Sequence, residues 1–600
     1  MNRNTVAHMG NIPKIGARRS AFDRSLTVKT TGNTGDCIPV WWDEVYPGDT
    51  VECDMAGVMR MATPVFPVMD NAFTDFYWFF VPTRLTWDHW QAFWGENDDP
   101  WTQTTEYVTP KISTPEGGYE RHTIADYMGI PTYVEKDNIN VLPLRAYTKI
   151  MNDWFRSENV DYSCHLYTDD NNRTGSNGGN YVTDTELGGK PYKANKIPDL
   201  YTRALPEPQK GPDVSIPIGA TAPVSGTITS LITEAKATIP SGWQSTDVLP
   251  TNQWGQSPYT TENLNGLRWK RTDGETITNQ TNITVSPVGT PENLFETKAQ
   301  GQVGTTGGST LYPTNLHLFN YNEKNYPVTG NITNTHDLSA DLSDATSTTI
   351  NELRTAFAIQ KFYEAQARGG SRYIEFLANI FGVTSSDARL QRSEYLGGKR
   401  QPINMETVLQ TSATDEVSPQ GNTAGYSCTL MRDNMFTKSF EEHGFIMCIM
   451  VTRTEHTYQQ GLEKKWTRSK WTDYYNPFFA NLGEQPIYNE NIYMQGTDED
   501  KEVFGYQESW AELRYAPNVA TGDFRSNSPA GSLKSWTYED VYASLPTLSE
   551  SWLREPVTNV DQTLAAQSSI THQFWVDLYL KMKWVRNLPI YGLPGLIDHV

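Results

Sequence analysis

The sequence has few cysteines, and their arrangement is unsuited to cross-linking. Only five occur in 600 residues, and no two form a C-x-x-C pair. An odd, widely spaced set argues against a disulfide framework or a zinc site. We therefore expect buried free thiols in a reducing compartment, at Cys37, Cys53, Cys164, Cys428 and Cys448.

Long apolar runs are also missing. No segment approaches the roughly twenty apolar residues that a membrane-spanning helix needs. The N-terminus, MNRNTVAH, lacks the apolar core of a secretory signal. The sequence thus predicts a soluble protein that folds in the cytoplasm and does not insert into a membrane.

Positive charge is scarce over the whole chain but concentrated at its start. Lys and Arg number 49 against 70 Asp and Glu, a net charge of −21, which argues against a dedicated nucleic-acid-binding protein. The first thirty residues contain one acid, Asp23. We interpret residues 1–35 as a basic extended arm. It is either a flexible terminus or a segment lying beside nucleic acid inside a container, with candidate contacts Arg3, Lys14, Arg18, Arg19 and Arg24.

Catalytic and ligand-binding motifs are absent as well. The sequence contains no phosphate-binding loop, no G-x-S-x-G and no H-E-x-x-H. Its ten histidines are scattered, so we expect structural or surface roles for them. Adjacent acids such as Asp98 and Asp99 point in opposite directions on an extended chain and suit solvated loops. We predict no catalytic, cofactor-binding or metal-binding residues, no cofactor and no enzymatic activity.

Aromatic residues and prolines, in contrast, are plentiful. Aromatics make up 12% of the chain and prolines number 35, which favours a β-rich fold with many turns. The most informative stretch is 75–82, where five aromatics in succession precede Val81 and Pro82. Alternate side chains of a strand face opposite sides. Both sides must therefore be covered, by a second sheet on one and another layer or subunit on the other.

Further strands are predicted at both ends of the chain. Segment 51–61 alternates apolar and polar residues, 445–451 is continuously apolar, and 574–584 alternates again. We infer a mainly β fold, an eight-stranded viral-type jelly-roll β-sandwich with long inter-strand insertions and a few helices. Helical periodicity and stops at glycine predict helices over 349–369 and 373–381, an amphipathic pair covering the sandwich.

The composition changes between about 219 and 350. Thr, Gly and Asn are common there, charges are few, and Asp273-Gly274 predicts a tight turn between short strands. Disordered segments are poor in aromatics. We therefore predict an ordered surface insertion at 219–350, with the sandwich formed by 36–218 and 351–600. Its candidate contact residues are Trp243, Trp254, Trp269 and Phe319.

Many strings of this chain resemble, in the same order, those of the major capsid protein of the Microviridae, in particular the gokushovirus branch. Residues 219–350 are the part without such a match. The strings are FDRS at 22–25, DEVYPGD at 43–49, ATPVFPVMDN at 62–71, NDWFR at 152–156, ALPEPQKGP at 204–212, ARGGSRY at 367–373, DARLQR at 387–392, TYQQGL at 457–462, GYQE at 505–508 and PGLIDH at 594–599.

The resemblance implies a jelly-roll subunit of a bacteriophage virion. Such subunits form a homo-oligomeric T=1 icosahedral shell around a circular single-stranded DNA genome, assembled in the cytoplasm of a bacterial host. Implied partners are a small basic DNA-binding protein, a pilot protein and a scaffolding protein. The insertion at 219–350 would form a three-fold spike that meets a receptor on the host surface.

Two other functions compete on composition alone. A β-sandwich carbohydrate-binding protein or glycosidase would use the many Trp and Tyr residues against sugar rings. It would require an export signal or a converging carboxylate pair, and neither is evident. A phage tail or fibre adhesin would show sequence repeats, which are absent.

Overall fold

A computed structural model describes most of the chain. It divides into two compact units, the first formed by 1–214 and 357–600 and the second by 215–356. The described residues are 19–96, 106–212, 214, 350–370, 372–411, 420–421, 423–526 and 531–591, together with eight short strands between 224 and 340.

The first unit is built on eight main strands. They are β1 (Leu26–Gly32), β2 (Ile38–Val45), β3 (Thr50–Met61), β4 (Ala72–Pro82), β5 (Glu394–Pro402), β6 (Thr429–Ser439), β7 (Gly444–Thr454) and β8 (Phe574–Arg586).

These strands form two four-stranded antiparallel sheets. The first has the order β1-β8-β3-β6 and the second the order β5-β4-β7-β2. Successive strands therefore tend to cross between the sheets, and the first main strand pairs with the last. This is the connectivity of an eight-stranded jelly roll. The predicted fold class is confirmed.

Alternation in the sequence produces the first sheet. Along β8, residues at even positions from Phe574 to Trp584 are buried, and those at odd positions are exposed. Strand β3 likewise buries Cys53 and Met55 and exposes Glu52. The two strands pair over their whole length. Their buried side chains meet the second sheet in one continuous apolar core.

Strand β4 is buried on both sides, as its run of aromatics predicts. Phe76 and Trp78 face the core between the sheets, whereas Phe79 faces a second apolar cluster on the outer side. That cluster includes Leu144 and Tyr147 of a helix in the same chain. The sequence left open whether another layer or a neighbouring subunit covers this outer side, and the structure shows that the chain itself covers it. The strand ends at Pro82.

Part of the predicted N-terminal arm belongs to the sandwich. Ser20–Asp23 forms a short strand that pairs with the end of β8, and β1 pairs with its beginning. Residues 20–32 are therefore extended, as expected, and held in a sheet edge. Residues 1–18 of the arm lie outside the described residues.

The helices lie in the connections between strands. Helices α4 (Ile350–Gly369) and α5 (Tyr373–Phe381) confirm the predicted pair, and Gly382 ends α5 in a left-handed conformation with φ 65°. The pair does not cover the sandwich as predicted: no residue of α5 is buried, and Phe357, Tyr373 and Phe381 are more than half exposed. The helices are α1 (Trp90–Phe93), α2 (Ile124–Tyr127), α3 (Leu142–Ile150) with a π turn at Met151–Phe155, α4 (Ile350–Gly369), α5 (Tyr373–Phe381), α6 (Glu550–Leu553) and α7 (Thr558–Asp561).

Short strands complete the first unit. Met405–Leu409 pairs with Thr423–Ser427, and Gln485–Tyr488 pairs with Val503–Gln507. A small three-stranded sheet comprises Lys111–Ser113, Ile139–Asn140 and Arg173–Thr174.

The second unit contains the eight short strands, paired two by two. Trp269–Lys270 pairs with Thr276–Ile277, so the predicted turn at Asp273-Gly274 is flanked by short strands as expected. The remaining pairs are Ile283–Thr284 with Lys298–Ala299, Leu316–Phe319 with Asn325–Val328, and Val224–Ser225 with Ser339–Ala340.

The structure bears on the predictions made from the few cysteines and from the lack of long apolar runs. All five cysteines are free, and all except the partly exposed Cys428 are buried. Burial raises the pKa of the Cys448 thiol well above its usual range, so it stays protonated. None of the described helices is both long and apolar enough to cross a bilayer.

Candidate functional site

The described cations of the N-terminal arm are bound to the sandwich. The guanidinium of Arg19 donates to the carbonyl of Gly48 at 2.6 Å and to the hydroxyl of Thr50 at 2.9 Å. Arg24 forms an ion pair of 2.6 Å with Asp43 and stacks over Trp584, 4.9 Å from the ring centre. The structure thus brings these two predicted residues to one end of the sandwich. The other three, Arg3, Lys14 and Arg18, lie outside the described residues.

Two of the four predicted contact residues of the insertion lie in short strands. Trp269 begins one of the short strands and Phe319 ends another. Trp243 and Trp254 lie outside the described residues.

A buried cluster of charges has the composition of a catalytic site. His456 follows β7 and lies between two carboxylates: its Nδ1 is 2.8 Å from Asp540 and its Nε2 is 3.0 Å from Glu555. Glu555 also accepts hydrogen bonds from the backbone and hydroxyl of Thr454. Lys196 lies 3.5 Å from Asp540. The cluster therefore joins the end of β7 to two distant segments of the chain.

The protonation of this cluster makes it structural rather than catalytic. Burial would lower the pKa of His456, but Asp540 and Glu555 outweigh burial and raise it to about 10. Burial raises the pKa of Asp540, but His456 and Lys196 overcome it and lower this pKa to about 2. An imidazolium that donates both protons to carboxylates has no free lone pair and cannot act as a general base.

Other groupings give no sign of a metal centre. Across the ranges that the structure describes, no three histidine, cysteine or acidic side chains are placed to hold a metal ion.

Large aromatic side chains are exposed in a segment that follows β7. Trp466, Trp471 and Phe478 are exposed by 72%, 73% and 93% respectively. Three of the four nearby cations are paired within the chain: Lys465 contacts Glu463, and Lys464 and Arg468 contact Glu512. We call residues 464–482 the aromatic segment. It presents an apolar surface whose flanking charges are largely neutralised.

A second exposed aromatic surface lies on the first sheet. The side of β8 that faces away from the core carries Trp575 and Tyr579, exposed by 43% and 48%. Neither surface was predicted from the sequence, because alternation indicates which residues of a strand point outward but not whether anything covers them. The aromatic segment has no periodicity that would have revealed it.

Comparisons with known proteins give one consistent answer. Residues 10–596 match the family described as Capsid protein (F protein). The match covers both the sandwich and the insertion.

Three curated relatives are similar over nearly their full lengths. The chain is 39% identical over 571 residues to the capsid protein VP1 of Spiroplasma virus 4, covering 94% of this chain and 93% of that protein. It is 37% identical to the capsid protein VP1 of Chlamydia phage 1, covering 98% and 97%. It is also 37% identical to the capsid protein VP1 of Bdellovibrio phage phiMH2K, covering 99% and 98%.

Proposed function

Because this chain belongs to the phage capsid protein (F protein) family, and is a structural protein rather than an enzyme, we propose that it forms a closed T=1 icosahedral shell. The shell encloses a circular single-stranded DNA genome. It assembles in the cytoplasm of a bacterial host, and its surface insertion mediates attachment to that host.

The observation that carries this proposal is the exposure of the aromatic segment. A monomeric protein rarely leaves neighbouring large apolar side chains in water, since each buried aromatic stabilises an interface by removing apolar area from solvent. Trp466, Trp471 and Phe478 are each exposed by more than 70%. Closed symmetry places such a surface against a second copy of the chain.

The charge of the chain supports an additional basic partner for the genome. A net charge of −21 does not favour a DNA cargo by itself. A small basic DNA-binding protein would supply the counter-charge, and residues 1–18 with Arg3, Lys14 and Arg18 would add local contacts. Arg19 and Arg24 are weaker candidates, because both already bind groups of the sandwich. Pilot and scaffolding proteins complete the proposed set of partners.

The insertion is the proposed site of host attachment. It spans residues 219–350, which lie within the second compact unit, 215–356. We assign it to a spike at the three-fold axes, with Trp243, Trp254, Trp269 and Phe319 as candidate receptor contacts.

Electron microscopy of the purified chain with its viral partners tests the shell. We expect closed particles of small-virus size for the wild type. Phe478→Glu should prevent closure, because a charge would be buried in the interface. Phe478→Leu is the matched control and should still form particles, since it keeps the position apolar. A wild-type chain that stays monomeric under these conditions would refute the shell, and normal particles from Phe478→Glu would exclude this segment as an interface.

A further inference from the structure

The two sheets of the sandwich differ in how their outer sides are covered. The outer side of the second sheet packs against α3 and the residues around it. On the outer side of the first sheet, the odd-numbered residues of β8 from Trp575 to Lys583 are exposed. This bare side, formed by the outward residues of β1, β8, β3 and β6, is called the open face below.

Strand register arranges the open face in rows. Trp575 lies between Thr31 of β1 and Arg60 of β3. Two residues further along β8, the row consists of Lys29, Asp577, Val58 and Leu430. The next row consists of Thr27, Tyr579, Ala56 and Arg432.

Two aromatic rings, those of Trp575 and Tyr579, therefore project from the same side of β8, and small side chains lie beside one of them. Trp575 and Tyr579 are four residues apart, a spacing of about 14 Å along a strand. Beside Tyr579, the small side chains of Thr27 and Ala56 leave the ring accessible on both flanks. Exposed aromatics on a four-stranded sheet are a general way to stack the bases of single-stranded nucleic acid.

Cations flank these rings without a carboxylate at ion-pair distance, although Arg432 is near enough to Asp54 to help lower the pKa of that carboxyl. Among the described residues, no carboxylate oxygen lies within 4.0 Å of the charged nitrogens of Lys29, Arg60 or Arg432. Arg60 instead contacts the ring of Tyr426, 6.0 Å from its centre. This differs from the aromatic segment, whose cations Lys465 and Arg468 pair with glutamates of the same chain.

A groove extends the open face at the edge of the sheet. It has a volume of about 840 Å³ and runs beside β1 towards α2. Its walls include the cations Lys29, Arg60 and Arg121 together with Trp575. Two acids, Asp126 and Asp577, also line the groove. Arg121 is a fourth cation without a carboxylate at ion-pair distance in the described part of the chain.

Acidic groups are also present, and two of them are paired with lysines. Asp54 contacts Lys581 at 3.4 Å and Glu52 contacts Lys583 at 4.0 Å, so these pairs add little net charge. Asp577 stands between the two aromatic rings and faces Lys29 across the strand pair. It is the one acid of the central rows, and it should weaken the attraction of an anionic ligand.

We propose that the open face binds single-stranded DNA. One base stacks on Trp575 and a second on Tyr579, while Lys29, Arg60, Arg121 and Arg432 contact the phosphates. The site rests on the proposed enclosure of a DNA genome and assigns the open face to the inside of the shell. Binding by stacking and backbone charge would be largely independent of sequence, as a shell needs when it contacts many parts of one genome.

Binding of a labelled twelve-nucleotide oligo(dT) by the full-length chain at low salt tests this site. Trp575→Ala should weaken binding by about tenfold, the effect typical of removing one stacking platform. Trp575→Phe should retain most of the affinity because a ring remains. Asp577→Asn should strengthen binding, which a purely structural role of this residue would not produce. Tyr162→Ala removes an aromatic side chain that is 74% exposed and lies outside both the open face and the aromatic segment, and it should leave binding unchanged.

Several outcomes would overturn the proposal. One is equal affinity of wild type, Trp575→Ala and Asp577→Asn for the oligonucleotide. Another is displacement of oligo(dT) by inorganic phosphate or thymidine monophosphate at equal nucleotide concentration, which would indicate a simple anion site. Loss of particles in Trp575→Ala with unchanged DNA affinity would show that the open face meets another copy. Particle formation is scored separately by electron microscopy, so failure of the DNA site is distinguishable from failure of the shell.

Discussion

Replacing His456 by alanine should reveal how much the buried charge cluster stabilises the fold. The imidazolium is almost completely buried and contacts Asp540 and Glu555 at 2.8 and 3.0 Å. Its removal leaves two carboxylates buried near each other, with Lys196 close to only one of them. Breaking a buried ion pair by removing one partner typically costs about 3–5 kcal/mol. We expect a loss of that size in the free energy of unfolding.

The pH dependence of this loss follows from the pKa of His456. The pKa is about 10 in the folded chain, against the model-compound value of 6.5 expected on unfolding. Below pH 6.5 both states hold the proton, and the stabilisation is fully present. As pH rises from 6.5 towards 10, only the unfolded state releases it. Stability then falls by up to roughly 1.4 kcal/mol per pH unit, a slope that His456→Ala lacks.

Urea denaturation of the unassembled chain, followed by tryptophan fluorescence, measures both effects. The difference in stability between wild type and His456→Ala should be largest near pH 6.5 and shrink towards pH 10. His165→Ala is the control, since His165 is exposed and its side chain hydrogen-bonds only to Tyr167 among the described residues. A cost below about 1 kcal/mol, or a cost independent of pH, would refute the reasoning.

Three further changes test other parts of the molecule. Burial raises the pKa of Glu539 to about 7, so the wild type loses stability as pH rises from 4.5 to 7. Glu539→Gln should remove this loss and flatten the profile of unfolding free energy against pH, and an unchanged profile would contradict this. Gly57→Ala should lower the free energy of unfolding by roughly 1–3 kcal/mol, because the new Cβ would lie 2.7 Å from the carbonyl oxygen of Asp577. Gly179→Ala is the control: its Cβ would meet only Lys190 at 4.0 Å, so its thermal melt should match the wild type. Replacing 219–350 by a short Gly-Ser linker should preserve particles but abolish adsorption to host cells, and loss of folding would place the segment in the core.

The sequence predicted those elements in which the local pattern of apolar and polar residues reflects which sides are buried. Strand β8 alternates because one of its sides meets the core, and that pattern is visible in eleven consecutive residues, 574–584. Strands β4 and β7 contain the continuous apolar runs 76–82 and 445–451 because both of their sides are covered there. Helix α5 ends where Gly382 adopts a left-handed conformation that other residues rarely adopt. In each case the cause lies within a few residues of its effect.

Other elements depend on partners far away in the chain. Strand β1 shows only a short alternation, with Leu26 and Val28 inward, inside the basic stretch that we interpret as an arm. Its pairing with β8, more than 500 positions later, makes it part of the sandwich. Strand β5 contains Gly397 and Gly398 and forms a sheet edge through its pairing with β4. His456 meets its carboxylates across 84 and 99 positions. Long-range pairing of this kind overrides local propensity.

The double burial of β4 suggested a subunit that packs on two sides, but the chain covers both sides itself. The indication of partners therefore comes from surfaces that the chain leaves bare, and the two such surfaces differ in charge. In the aromatic segment, Lys465 and Arg468 are neutralised by glutamates of the same chain, which suits an uncharged apolar neighbour. On the open face, Arg60 and Arg432 have no carboxylate within 4.0 Å among the described residues, which suits an anionic polymer. The two proposals therefore use separate surfaces of one molecule, the aromatic segment for a second copy and the open face for nucleic acid.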